Sequence, residues 1–499
     1  MLKKIIYLFV IALLVINSMV SFAAEKASGI DVYENKFINV ESSPLLSVIS
    51  PDSRHVAYVA QSGDRQFVVV DGKEGKHYDG IGPNIVFSPD SRHIVYGAQA
   101  GNKQVAVVDG KEGNPYDVIG TNFVFSPDSK RLIYSARKGN KIFAVIDGQE
   151  GKYYDGIISP FLFSPDSKRV FYSARKEKKF FVVVDEQEGK YYDGIGSNLI
   201  FSPDSRHVAY GAQAENKQFV VVDGKEGKQY DGIGAMIAFS PDSKNVVYGV
   251  ESAKNRFVVI NEKEEKHYDA VRPGFVFSPD SRRFAYVAQK GNKWFVIADG
   301  QEGKPYDVVG AALIFSPDSK RFAYMVQSEN KRFAVIDGKE EKHYDNIGAV
   351  FVFSQDSRRA AYVAKSGNKW FVVADGKEGK PYDVVANSTL VFSSDSMHVA
   401  YGAQSDNKRF IVLDGKEGEK YNLIGNGSLV FSPDGKHMTY IAQSGSKQFV
   451  VVGEKEESKY DSVMNFGRGC IIFDSTSNFH YLALRDKTIY MVEVKINNN

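Results

Sequence analysis

One 38-residue text recurs along nearly the whole of this 499-residue chain, four short β-type runs fill each copy, and no useful helical periodicity interrupts them. These three observations predict an all-β fold, a β-propeller of about twelve four-stranded blades. The step is set by Ser-Pro-Asp-Ser. Pro51, Pro89, Pro127, Pro165, Pro203, Pro241, Pro279 and Pro317 stand 38 residues apart, Gln355 takes the next such place, and Ser394 and Pro433 follow at 39. Two tyrosine series keep the same step, one beginning Tyr78, Tyr116, Tyr154 and the other Tyr58, Tyr96, Tyr134.

Within one copy, Asn84–Phe87 reads as a first strand, and Ser88-Pro89-Asp90-Ser91 as a turn in which Pro fixes φ and the Asp and Ser side chains bond backbone. His93–Gln99 is a second strand, Ala100–Lys103 a turn, and Val105–Val108 a β-branched third strand closed by Asp109-Gly110. Lys111–Asn114 reads as a polar turn and Pro115–Ile119 as a weak fourth strand. The ends of the chain supply partial copies. Glu34–Glu41 matches a fourth strand and Leu45–Ser50 a first, while Asn478–Asp486 and Thr488–Val494 match a second and a third. A composite blade closed by strands from both ends is therefore expected, which removes two exposed sheet edges. Twelve blades fit either two successive six-bladed rings, residues 24–265 and 266–499, or one large ring over 24–499. The unusual text from Ile260 to Phe277 favours a break at the first of these boundaries.

Residues 1–23 read as a signal peptide: Lys3 and Lys4, an apolar run from Ile5 to Val20, then Ser21-Phe22-Ala23 at the cleavage positions. An uncleaved anchor is the alternative. The expected location is secreted, periplasmic or cell-surface, with no stable membrane span after the leader is removed. The rest of the chain balances 61 basic against 61 acidic residues, which favours neither nucleic acid nor an anionic membrane as partner. Cys470 is the one cysteine, so no internal disulfide holds the fold.

The block Ser50–Ala60, SPDSRHVAYVA, followed by a short strand ending in Asp-Gly, resembles the Asp-containing, WD-like propeller repeats of TolB-like proteins, tricorn protease and prolyl-oligopeptidase-type enzymes. The resemblance runs from Ser50 to about Phe473 and implies a propeller serving as a binding scaffold or as the gating part of a peptidase. No α/β domain is read before the repeats and no hydrolase domain after them, so no whole-protein match is expected.

No nucleophile elbow, zinc-protease helix, EF-hand loop or phosphate-binding loop occurs in the sequence. His55, His93 and His207 share one repeat position, where Lys130, Lys168, Lys244 and Arg282 are read as their replacements, and His77, His267 and His343 share another. No metal and no cofactor are expected. Tyr78-Asp79 recurs too often to be a catalytic pair, and the Lys-Glu-Gly-Lys turns read as a solvated mixed-charge edge.

Two sets of residues are candidates for binding. The text between copies drifts most, which nominates Asn84, Asn122, Asn198, Arg272, Asn387 and Arg468 as an inter-blade loop face. A ring after the Tyr-x-Ala strand is polar and long-chained: Gln61, Gln99, Arg137, Arg175, Glu251 and Gln289. The expected function is a non-enzymatic exported scaffold for a protein, a peptide or an envelope glycan. The alternative is a glycan hydrolase or lyase with acidic residues converging on the central channel, Glu251 being the acid to test first.

Overall fold

The computed structural model describes residues 22–23, 30–39, 47–158, 160–253, 255–464 and 470–497. Among them every regular element is a strand, and the strands form twelve antiparallel sheets, the blades of a β-propeller. The chain divides into two compact units, one of Ala57–Val69 and Glu74–Asn387, the other of Met1–Val56, Val70–Lys73 and Ser388–Asn499. Blades are numbered here in chain order, blade 1 beginning at Ser47 and blade 12 combining Ser462–Ile496 with Ile30–Asn39.

Blade 2 shows the plan. Its strands Gly80–Phe87, Ile94–Ala100, Lys103–Val108 and Lys111–Glu112 pair in sequence order. Asp109 and Gly110 have φ of 48° and 77°, the conformation of a two-residue type I′ hairpin, and Asp109 Oδ1 accepts the N–H of Ile94 at 2.9 Å. That turn reverses the chain at once, so the fourth strand is already under way at Lys111. The expected fourth strand, Pro115–Ile119, is instead divided. Tyr116 forms a single bridge back to Gln104, and Val118–Ile119 opens the first strand of blade 3. The drifting text is likewise not a loop between blades. Gly82-Pro83-Asn84 stands opposite the single residue Gly97, as a bulge within the first strand.

The core lies between blades. Third strands read as continuous apolar runs because both of their faces are covered: Val105, Ala106 and Val107 are all buried. Tyr116, fully buried, packs with Val95 and Ala106 of blade 2 and with Ile119, Tyr134 and Phe143 of blade 3. Each such ring contributes roughly 2 kcal/mol of apolar burial. First strands of successive blades also touch, Gly194–Phe201 with Gly232–Phe239 and Val308–Phe315 with Asn346–Phe353.

In the unit holding both ends, Ile30–Asn39 pairs antiparallel with Thr488–Ile496 as the outer strand of blade 12, which is the expected composite blade. Glu34 is buried there, accepts the Tyr460 hydroxyl at 2.5 Å and is clasped by the Arg485 guanidinium. Blade 12 meets blade 1 through His480, whose Nδ1 and Nε2 lie 2.8 Å from Asp474 Oδ2 and from the Asp52 carbonyl oxygen. Arg54 adds ion pairs of 3.1 Å to Asp474 and Glu493.

Among the described residues Glu457 is a buried carboxyl with no hydrogen-bond partner for either oxygen, beside the equally unpartnered Tyr481 hydroxyl. It stands where most blades have a glycine, as at Gly113, and where two have the partly exposed Glu265 and Glu341. Burial pushes its carboxyl up to about 7. The folded state then holds a proton that the unfolded chain releases, so this group's contribution to stability is present below about pH 4.5 and lost as pH rises to about 7. Glu457→Gln is expected to match the parent at pH 4 and to exceed it by about 3 kcal/mol at pH 8 in urea denaturation.

Candidate functional site

Three kinds of contact staple successive blades, and they use most of the residues that looked reactive in the sequence. In the Ser-Pro-Asp-Ser turn, Ser88 Oγ donates to Asp90 Oδ1 at 2.6 Å and accepts the N–H of His93 at 2.9 Å. The Asp90 N–H donates across the blade boundary to Ser129 Oγ at 2.9 Å, and the same bond recurs from Asp128 to Ser167 and onward to Asp318 and Ser357. The seryl hydroxyls hold the Asp90 and Asp128 carboxyls below the usual range. Asp117 is the second staple: it pairs with Lys103 and accepts the N–H of Gly139 in the next blade at 2.6 Å. The third joins Tyr268 and Lys266 to Glu302 of the next blade, at 3.1 and 2.5 Å. The Lys-Glu-Gly-Lys text is therefore an inter-blade clasp as well as an exposed edge. All three staples cross the junction between blades 6 and 7, through Asp242–Ser281, Asp269–Gly291 and Lys266–Glu302.

The histidines have partners of the same kind. His93 Nδ1 lies 2.8 Å from Asp109 Oδ2, and in sister blades Arg131 and Arg169 occupy that position and reach Asp147 and Asp185. Lys130, Lys168, Lys244 and Arg282 stand one residue earlier, so the replacements are Arg131, Arg169, Asn245 and Arg283. His77, His267 and His343 stack on Phe67, Phe257 and Phe333 at 3.9–4.3 Å.

The drifting residues fall in or beside the first-strand bulges, and several reach into the next blade. Asn84 Nδ2 donates to the Thr121 carbonyl at 2.8 Å, Asn198 Nδ2 to that of Ile237 at 3.4 Å, and Arg272 Nη1 to that of Val309 at 2.5 Å. The Arg272 guanidinium lies 4.4 Å from the Trp294 ring centroid, and desolvation lowers its pKa. Asn387 Oδ1 would meet a Cβ on Gly348 at 1.9 Å, so that close approach requires the glycine. Asn122 is exposed in the break between Val118–Ile119 and Val124–Phe125. Arg468 lies outside the described residues.

The polar ring sits at the far end of the second strand, paired to the start of the first: Gly80 with Gln99, Val118 with Arg137, Gly156 with Arg175, Gly232 with Glu251, Ala270 with Gln289. Gln61 and Gln99 donate to the carbonyls of Gly63 and Gly101 in their own turns, at 2.9 and 2.7 Å. The Glu251 carboxylate is held by Arg256 at 3.3 Å.

Bulge and ring meet in open cavities of about 170–220 Å³ between adjacent blades. Asn84 and Gln99 line one, Asn198 and Gln213 a second, Arg272 and Glu251 a third. Their common cause is a residue absent from both candidate sets. Each cavity is floored by a glycine at the middle of the second strand: Gly97, Gly211 or Gly249. Other blades carry Ser173, Val287, Met325 or Val363 there, all buried. The signal was legible in the sequence as Tyr-Gly-Ala or Tyr-Gly-Val where sister copies have Tyr-Ser, Tyr-Val or Tyr-Met.

No family model matches the sequence, and no curated protein does. Among solved structures the chain overlaps a eukaryotic initiation factor at 12% identity, over 65% of this chain and 96% of that one, with a TM-score of 0.34. The Dos1 propeller overlaps at 12% identity, over 66% and 92%, with a TM-score of 0.26. TolB from Acinetobacter baumannii does so at 12% identity, over 58% and 78%, with a TM-score of 0.23. The blade plan rests on the sheets themselves.

Arg272→Ala removes both a bond to the Val309 carbonyl and a cation from the Trp294 face. The expected outcome is a loss of about 1–2 kcal/mol in urea denaturation and a red-shifted Trp294 emission in a Trp370→Phe background.

Proposed function

We propose that the protein is a non-enzymatic scaffold, exported to the periplasm, the cell surface or the medium, that captures a partner on its bulged first strands. One observation carries this reading: the staples keep their residues from blade to blade, while the side chains of the bulges and the glycine-floored cavities beside them change. A surface that recognises an asymmetric partner has to break its own symmetry, and the bulges are where this one does so. Export is supported by the basic and apolar leader. Among the described residues no helix is long and apolar enough to cross a membrane. The ion pair of Glu251 with Arg256 also favours binding over acid catalysis at that position.

The test is capture from an envelope extract by the parent and by a variant in which the bulges of blades 5, 6 and 7 carry the Gly310-Ala311-Ala312 text of blade 8. Partner capture by the parent, lost in the variant at unchanged melting temperature, is the expected result. Equal capture by both would contradict the assignment of the binding face.

A further inference from the structure

Two of the cavities adjoin. The one floored by Gly211 and the one floored by Gly249 share Ile233 and Gly234, and together they form a trough along blades 5, 6 and 7. A Cβ built on Gly211 would meet nothing within 4 Å, and one on Gly249 would meet Phe275 Cζ at 3.6 Å, so both point into room rather than into backbone. Each cavity, at about 200 and 170 Å³, is smaller than the roughly 300–1,000 Å³ of a drug-sized ligand site and suits one aliphatic residue.

The lining specifies the chemistry further. No charged side chain lines the Gly211 cavity. Its walls are Ile195, Ile233 and Ile237, and its polar groups are the carboxamides of Asn198, Gln213 and Gln218. Gln218 Oε1 accepts the N–H of Ile233 at 2.8 Å, which leaves its amino group as a donor. Asn198 donates to the Ile237 carbonyl, which leaves its oxygen as an acceptor. The Gln213 side chain makes no hydrogen bond among the described residues, while its backbone carbonyl accepts the Asp193 N–H. A matched set of donor and acceptor amides beside aliphatic walls is complementary to a peptide group carrying an apolar side chain. The backbone adds to this, because Gly196–Asn198 lies outside the ladder with the second strand, on the edge strand of its sheet. No aromatic side chain lines this cavity to stack on a sugar ring. Three charged side chains line the second cavity: Glu251 and Arg256 pair with each other, and the Arg272 guanidinium is engaged by the Val309 carbonyl and the Trp294 ring.

We infer that the trough over Gly211 and Gly249 binds an extended, uncharged peptide segment and seats one aliphatic side chain on each glycine. This rests on the reading of the bulged strands as the binding face and names the class of ligand for it.

The probe is acetyl-Gly-Leu-Gly-Leu-Gly-amide, titrated calorimetrically into the full chain, with acetyl-Gly-Ser-Gly-Ser-Gly-amide and chitotetraose as comparisons. Gly211→Val with Gly249→Val fills both floors with the residue that Val287 and Val363 supply in sister blades, so folding is expected to survive. The leucine peptide is expected to bind the parent and to bind the double variant at least tenfold more weakly. The serine peptide and chitotetraose are expected to bind neither. Gly211→Ala alone is expected to weaken leucine-peptide binding by a smaller factor, and it serves should the double variant fail to fold. Absent binding of the leucine peptide, equal binding by parent and variants, or chitotetraose binding that the same substitutions abolish would each overturn the inference. Continued capture of the envelope partner by the double variant, alongside any of these, would leave the scaffold reading standing.

Discussion

The structure depends on one bond, the backbone N–H of Asp90 donating to Ser129 Oγ of the following blade, repeated at every step from blade 2 to blade 9. An aspartate amide that turns away from its own strand has no partner within its sheet, and a hydrogen bond made there contributes about 0.5–1.5 kcal/mol. The acceptor that satisfies it belongs to another blade, on a serine with φ near +65°. Neither half of the turn is complete alone. The Asp117 and Tyr268–Glu302 contacts follow the same logic at the second turn and the outer strand. Each blade therefore supplies a neighbour's missing partners, and at the chain ends Glu34 takes the clasping role that Glu302 has elsewhere.

With the frame secured at the turns and outer strands, the first strand is the part released from a fixed sequence. Its three-residue bulge needs no particular side chain to close the ladder, so Asn84, Arg272 and Met236 stand in comparable places with different chemistry. Whether the space beneath a bulge is filled depends on the facing residue of the second strand and, at Gly402, on Thr389 of the first strand, which covers that glycine. Met325 or Val363 packs it, whereas Gly97, Gly211 or Gly249 leaves it open. Glu457 is a buried carboxyl that follows the outer strand of blade 11, beside Tyr481 of the blade that joins the two chain ends.

The repeat, its four-strand content and the composite blade were legible because period-two patterning and Asp-Gly turns report local backbone geometry directly. Strand boundaries were less so. Lys111-Glu112 looked like a turn because it is polar, yet the type I′ hairpin before it had already reversed the chain. The bulge looked like a connection because glycine, proline and asparagine mark turns and bulges alike. The grooves escaped notice for a different reason. They depend on the absence of a side chain, and Gly211 becomes conspicuous only beside Ser173 and Val287 in the same register. The partners of the drifting residues lie 37–39 residues away, beyond any local pattern.

Site-resolved hydrogen exchange tests the account most directly, because the claim concerns amides. The N–H groups of Asp90, Asp128, Asp166 and Asp204 are expected to exchange as slowly as those of the third strands, such as Val107, although their carboxylates face solvent. The amides of Gly196 and Asn198 in the bulge are expected to exchange faster by orders of magnitude. Turn aspartates that exchange at the rate of the bulge would contradict the claim that one blade's turn is completed by the next.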